Sequence, residues 1–196
     1  MVKRAIPQSG DVVTMVSKWG LNPIKWILYL AIHSWQKRFF GSGAYWKSTH
    51  VLICTGENEL FEVTAPKSRF TNFEYLKEFR SYRIYQYGGQ TLNALDLQTL
   101  RRIAEKINGS NYDYLDLLDF LVYEVLGYPK SNTKIFTGIF GLGKKKMVCS
   151  TGIAVIWRSW RNTLYPALPK LFAGTPVELT SPAHFDNYPS DFIRVG

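Results

Sequence analysis

A chain of 196 residues, 46% of them hydrophobic and 15% aromatic, is long enough to bury a substantial core, and its length fits one domain spanning residues 1–196. Two cysteines, with no CxxC and no His/Cys cluster at zinc spacing, call for neither a disulfide-stapled secreted scaffold nor a zinc site. The formal charge of +9 is unevenly placed: residues 1–50 carry seven Lys or Arg against the single acid Asp11, and no Asp or Glu falls between Glu124 and Glu178. Basic stretches gathered on one face would attract an anionic surface such as phospholipid, cell-wall polymer or nucleic acid, whereas scattered Lys and Arg would only keep the protein soluble.

In chain order, Met1 to Ser9 holds Lys3 and Arg4 but no apolar core of signal-peptide length. With two unpaired thiols, the expected location is the cytoplasm, or a membrane periphery, unless another route delivers the protein to a cell wall. Gly10 to Val16 reads as a buried strand, and Asn22-Pro23 as a helix start with Asn as cap. Ile24, Ile27, Leu28, Leu30, Ala31 and Trp35 give that helix an apolar face. Its run from Trp26 to Ile32 falls far short of the roughly 20 residues that span a bilayer. Two fates fit it: an ordinary packed helix, or one lying on a membrane surface through Trp26, Trp35 and the basic flank at Lys37 and Arg38. Gly41-Ser42-Gly43 follows as a flexible loop.

The next stretch, HVLICTGENELFE from His50 to Glu62, reads as a hairpin: strand, turn at Gly56 to Glu59, returning strand from Leu60 to Val63. Side chains alternate along a strand, so His50 shares a face with Leu52 and Cys54. Glu62 lies inside an apolar run, where a carboxylate is costly unless it pairs or stays near water. A bulge or an odd loop puts Glu62 on the His50 face; a tight two-residue loop turns it away.

Tyr82 to Tyr87 resembles a third strand ending at Gly88-Gly89, and its interleaved Arg and Tyr fit either sheet or a single-stranded nucleic-acid binder. Thr91 to Asn108 is a predicted helix stopped by Asn108-Gly109. Asn111-Tyr112-Asp113 opens another, running to Gly127 and Pro129, whose Asp113, Asp116 and Asp119 suit a helix N-terminal half better than a metal site. Lys130 to Lys146 has no period and reads as a loop, and Gly141-Leu142-Gly143-Lys144-Lys145-Lys146 lacks the order of a phosphate loop.

After Cys149, residues Ile153, Ile156, Trp157 and Trp160 recur at helical spacing, so a helix begins at or just after the cysteine. Amides at a helix N-terminus stabilise a thiolate, and they also receive an oxyanion. Cys54, inside an apolar strand, has the setting of an inert thiol. Cys149 as a small core residue is the bland alternative; His50 and Glu62 are what weigh against it.

Gly10-Asp11-Val12-Val13, a long helix, Ser48-Thr49-His50-Val51 with Glu62 twelve residues on, and Cys149-Ser150 opening a helix together resemble the NlpC/P60 superfamily of papain-like cysteine hydrolases. Histidine precedes cysteine, as in the circularly permuted branch that includes YiiX-like and YebB-like proteins. The likeness extends to Gly109 with Tyr112-Asp113 and to Thr180-Ser181-Pro182 leading to a final strand at Phe192 to Val195. It departs at residues 130–146, which have no counterpart, and at Thr151, where relatives often carry Glu or Gly.

The resemblance implies a papain-like α+β fold with a small antiparallel sheet against the cysteine helix. It also implies amide hydrolysis through a thioester, with Cys149 as nucleophile, His50 as general base, Glu62 orienting the imidazole, and no cofactor. Expected substrates are a peptide, a cell-wall peptide or, with the same three residues at a membrane surface, an acyl lipid; no specific nucleic acid is expected. A binding protein with an unreactive thiol is the non-enzymatic alternative.

Overall fold

The local chemistry of the hairpin explains the centre of the sheet. In this computed structural model, which describes residues 5–18, 23–41, 43–88, 91–112, 146–175 and 180–196, Val51 to Cys54 is buried on both faces, as the unbroken apolar run requires. The elements in order are β1 (Val12–Ser17), α1 (Pro23–Phe40), β2 (His50–Gly56), β3 (Glu59–Glu62) and β4 (Arg69–Thr71). A 3₁₀ segment (Phe73–Glu78) leads to β5 (Phe79–Tyr87), α2 (Ala94–Ile107), β6 (Asn111–Tyr112), β7 (Lys146–Met147) and α3 (Cys149–Leu164). A second 3₁₀ turn (Leu171–Gly174), α4 (Pro182–Asn187) and β8 (Phe192–Arg194) complete the described chain.

Six strands pair in the order β4-β3-β2-β1-β5-β8, every neighbour antiparallel. The fold is α+β, with α2 and α3 against one face of the sheet. There Val12, Val51, Ile53, Phe61 and Val63 meet Leu100, Ala104, Ile153, Ile156 and Trp157. Val13, Met15, Leu52, Cys54 and Leu60 point the other way and pack against Leu76, with Phe73, Tyr75 and Phe79 beside it. This second layer is thin, supplied by the 3₁₀ segment and the start of β5, and it is the layer in which His50 and Glu62 lie.

Two local devices fix how α3 and α4 meet the sheet. A Cβ added to Gly152 would sit 2.3 Å from Val63 Cγ2, so only glycine lets the first turn of α3 rest directly on the residue after β3. On α4, Asp186 Oδ1 accepts hydrogen bonds from Thr14 at 2.8 Å and from the Tyr85 hydroxyl at 2.6 Å, tying that short helix to β1 and β5.

Several expectations need correction. The helix expected from Thr91 starts at Ala94, because the Asn93 side chain accepts from the Leu95 and Asp96 amides and caps it there. Asn111-Tyr112, expected as a helix start, forms β6, parallel to β7 at Lys146–Met147, and the rest of that expected helix lies outside the described residues. Thr180-Ser181-Pro182 leads first into α4, with Pro182 at its first position, and only then to β8. β4 and both 3₁₀ segments carry too few residues for periodicity to reveal them. Asn22, the stretch 113–129 with its three aspartates, and 130–145 lie outside the described residues.

Candidate active site

The hairpin resolves which way Glu62 points. Its turn is the tight pair Glu57-Asn58, with Asn58 at a positive φ of 53°, and that loop alone would set Glu62 opposite Ile53, on the face away from His50. Instead the register shifts between Cys54 and Gly56, so Thr55 is an extra residue on β2 and Glu62 pairs with Leu52. The Thr55 hydroxyl donates to Glu59 Oε1 at 2.9 Å, across the bulge. One inserted residue therefore turns the carboxylate onto the histidine face, and His50 Nε2–H donates to Glu62 Oε2 at 2.8 Å.

Cys149 approaches from the helix. It is the first residue of α3, behind Val148 in extended conformation, and the first intrahelical donor is Gly152, whose amide reaches the Val148 carbonyl at 3.0 Å. The amides of Cys149 and Ser150 thus have no acceptor within the helix and form its positive end. The Cys149 thiol lies within hydrogen-bonding reach of the His50 ring. Since Nε2 is held by Glu62, Nδ1 is the nitrogen left for sulfur. His50, Glu62 and Cys149 are all buried, and Phe79 stacks on the His50 ring with centroids 5.9 Å apart and planes 8° from parallel.

Burial by itself lowers an imidazole pKa. At His50 that effect is outweighed by negative charge on Cys149, the hydrogen bond to it and the pairing with Glu62, so the net shift is upward. Burial likewise works to raise Glu62, but the hydrogen bond and charge of His50, with those of Arg69 and Tyr75, hold its pKa below the usual carboxylate range. Imidazolium at His50 and carboxylate at Glu62 are the forms these shifts favour. Cys54 is the contrast: buried in β2 with its thiol on the Gly56 carbonyl, it is pushed up to about 12 by burial, the setting of an inert thiol.

Sequence reasoning missed the supporting residues. Arg69 of β4 lies directly opposite Glu62 and its Nε–H donates to Glu62 Oε1 at 2.8 Å. Gln36 of α1 is fully buried; its amide donates to the carbonyls of Trp46 at 2.7 Å and Ser48 at 2.9 Å, and its oxygen accepts from the Ala183 amide at 2.9 Å. It thereby pins the approach to His50 against α4. No spacing signal marks either residue: Gln36 reaches Ala183 across 147 positions, and Arg69 meets Glu62 only through the pairing of β4 with β3.

Beside Cys149 opens a small cleft lined by Ile32, Trp35, Val148, Ser150, Ser181 and Pro182. Trp35 is therefore a wall of the cleft, whereas Trp26 and Leu30 of the same helix are exposed. Behind Ser181 lies His184, fully buried, its Nδ1 accepting from the Ser181 amide at 2.9 Å. Among the described residues no group of three or more His, Cys, Asp or Glu is placed to hold a metal ion, and no helix is long and apolar enough to cross a membrane.

The arrangement of a cysteine helix against an antiparallel sheet bearing histidine and carboxylate on neighbouring strands defines a papain-like α+β protein. In comparison with solved structures, the chain is similar to the metalloprotein yiiX from Escherichia coli O157:H7, with a TM-score of 0.55 and 17% sequence identity, covering 97% of this chain and 97% of that one. At that identity the likeness is one of fold alone. No protein-family model matches the sequence, and no curated protein matches it.

Proposed function

We propose that this protein is a cysteine hydrolase in which Cys149 attacks a carbonyl, His50 is general base and then general acid, and Glu62 orients the imidazole. The observation that carries the reading is the relay itself: a thiol on a helix N-terminus, in reach of a ring whose other nitrogen is bound at 2.8 Å to a buried carboxylate. Cys149 Sγ forms a bond to the carbonyl carbon, and the Cys149 amide helps hold the oxyanion. On collapse, the proton on His50 passes to the leaving amine or alcohol, leaving a thioester. Water, activated by His50, hydrolyses the thioester and frees the thiol.

The substrate class proposed first is an amide: a peptide or isopeptide, including cell-wall peptide. The apolar walls Ile32, Trp35, Val148 and Pro182 favour a second reading, in which the group transferred or released is the acyl chain of a lipid. Exposed Trp26 and Leu30, one turn apart on the helix that supplies Trp35, would rest on the bilayer, and the basic N-terminal stretch would favour an anionic one. The structural neighbour is a metalloprotein; among the described residues here no group of three or more His, Cys, Asp or Glu is placed to hold a metal ion, and no step above uses one. The test is labelling with a thiol-directed acyl probe, then assay on muropeptides, on peptides and on phospholipid vesicles. Mass spectrometry should find the probe on Cys149 alone, and labelling that persists in Cys149→Ala would end the proposal.

A further inference from the structure

We propose that Arg69 is a positioning residue of the site, one that acts through Glu62 by neutralising the charge the buried relay would otherwise carry. This rests on the hydrolase reading of the same site. The argument is a charge count. In the reactive form that the hydrolase reading requires, with Cys149 a thiolate, His50 an imidazolium and Glu62 a carboxylate, the buried group holds a net negative charge, and burying an unbalanced charge is costly. Arg69 brings the sum to zero.

The geometry fits a dedicated partner. Glu62 has two carboxylate oxygens: Oε2 is used by His50 and Oε1 by Arg69, each at 2.8 Å. The carboxylate is fully buried while 55% of the Arg69 side chain remains exposed, so a surface cation reaches inward to a charge with no solvent of its own. An ordinary surface pair contributes little because water screens both ends; here one end is dry. The guanidinium is fixed from a second side, over the Tyr75 ring at 5.3 Å, and β4 is only three residues long with Arg69 exactly opposed in register to Glu62. The groups facing Glu62 are thus His50 from β2, Arg69 from β4 and Tyr75 from the 3₁₀ segment, with Cys149 of α3 beyond His50. His50, Arg69 and Tyr75 each favour its ionised form.

Without Arg69, the least costly way to remove the excess charge is to protonate Glu62, which releases its hold on His50 Nε2–H. The site would then lose its reactive form at a higher pH than the native protein does. Alkylation of Cys149 by iodoacetamide, followed on the full chain by mass spectrometry from about pH 4 to about pH 9, reads this without a substrate. In Arg69→Gln the acid limb should move up by about one pH unit, giving up to about tenfold slower alkylation at the acid end of the range with little change near pH 9. Arg69→Lys should restore most of the native profile, because it keeps the charge. In a Glu62→Gln background, Arg69→Gln should change nothing further.

An Arg69→Gln profile superimposable on the native one, or lowered by one factor at every pH, overturns the inference and leaves the relay standing. If Arg69→Gln does not fold, the double variant Glu62→Gln/Arg69→Gln decides: recovery of folding supports an uncompensated carboxylate as the cause, and its failure to fold overturns it. A native protein whose Cys149 reacts no faster than a free thiol defeats instead the hydrolase reading on which this depends.

Discussion

His50 and His184 are both buried imidazoles, yet the two regions drive them in opposite directions. Around His184 stand Trp35, Phe39, Phe40, Phe172 and Tyr188, all ring to ring within 6.2 Å, and burial pushes its pKa down to about 3. Around His50, the charges on Cys149 and Glu62 outweigh the same burial and push it up to about 10. Burial alone makes a neutral structural ring; burial beside paired charge makes a proton carrier.

The largest expected effect separates the two regions by chemistry. His50→Ala and Cys149→Ala should each abolish or reduce turnover, and His50→Ala should slow Cys149 acylation by ~10²–10⁴ while circular dichroism stays native. His184→Ala should do the reverse, costing about 2–4 kcal/mol in urea unfolding through the cavity it leaves, with Cys149 alkylation of the folded fraction nearly unchanged. A His184→Ala protein that is fully stable but tenfold less reactive would erase the distinction.

Stability against pH sharpens it further. The folded pKa of His50 lies above its unfolded value near 6.5, so its contribution is fully present below that value and is lost as pH rises through about 10. For His184 the folded value lies below the unfolded one. Its contribution is complete above about 6.5 and declines as pH falls toward 3, because the unfolded chain then binds a proton the folded ring refuses. Each limb should have a slope of about 1.4 kcal/mol per pH unit, read from urea midpoints. His50→Gln should flatten the alkaline limb only, and His184→Ala the acidic limb only. Glu62, whose pKa is lowered, adds to the acid side: its contribution is present above the ordinary carboxylate value and is lost as pH falls through the depressed one.

The smallest effect concerns the other thiol. Cys54→Ala should leave the rate of Cys149 alkylation within about twofold and cost about 1 kcal/mol of stability, since it removes one small buried group from the thin layer. Loss of activity in that variant equal to loss in Cys149→Ala would reassign the nucleophile.

Much of this was legible before any coordinates. The apolar run Val51 to Cys54 specified a buried strand, the stripe Ile153, Ile156, Trp157 and Trp160 specified α3, and Asn108-Gly109 marked the end of α2, because each rests on local periodicity or backbone preference. His50, Glu62 and Cys149 stood out as candidates because a carboxylate in a strand and a thiol at a helix start are locally unusual. The strand formed by Asn111-Tyr112 was not legible, since two residues have no period and their partners, Lys146-Met147 and Lys67, lie far along the chain.

What the sequence determined by itself was which segments are strand or helix and which side chains carry chemistry, since those follow from neighbours a few positions apart. Tertiary structure alone decided that Thr55 bulges rather than pairs, which sets the face of Glu62, and that Arg69, Gln36 and the cleft wall Trp35 stand around the relay. Register and long-range packing are settled by competition among whole-sheet arrangements. A one-residue slip that leaves local preference untouched would have pointed the carboxylate away from the histidine.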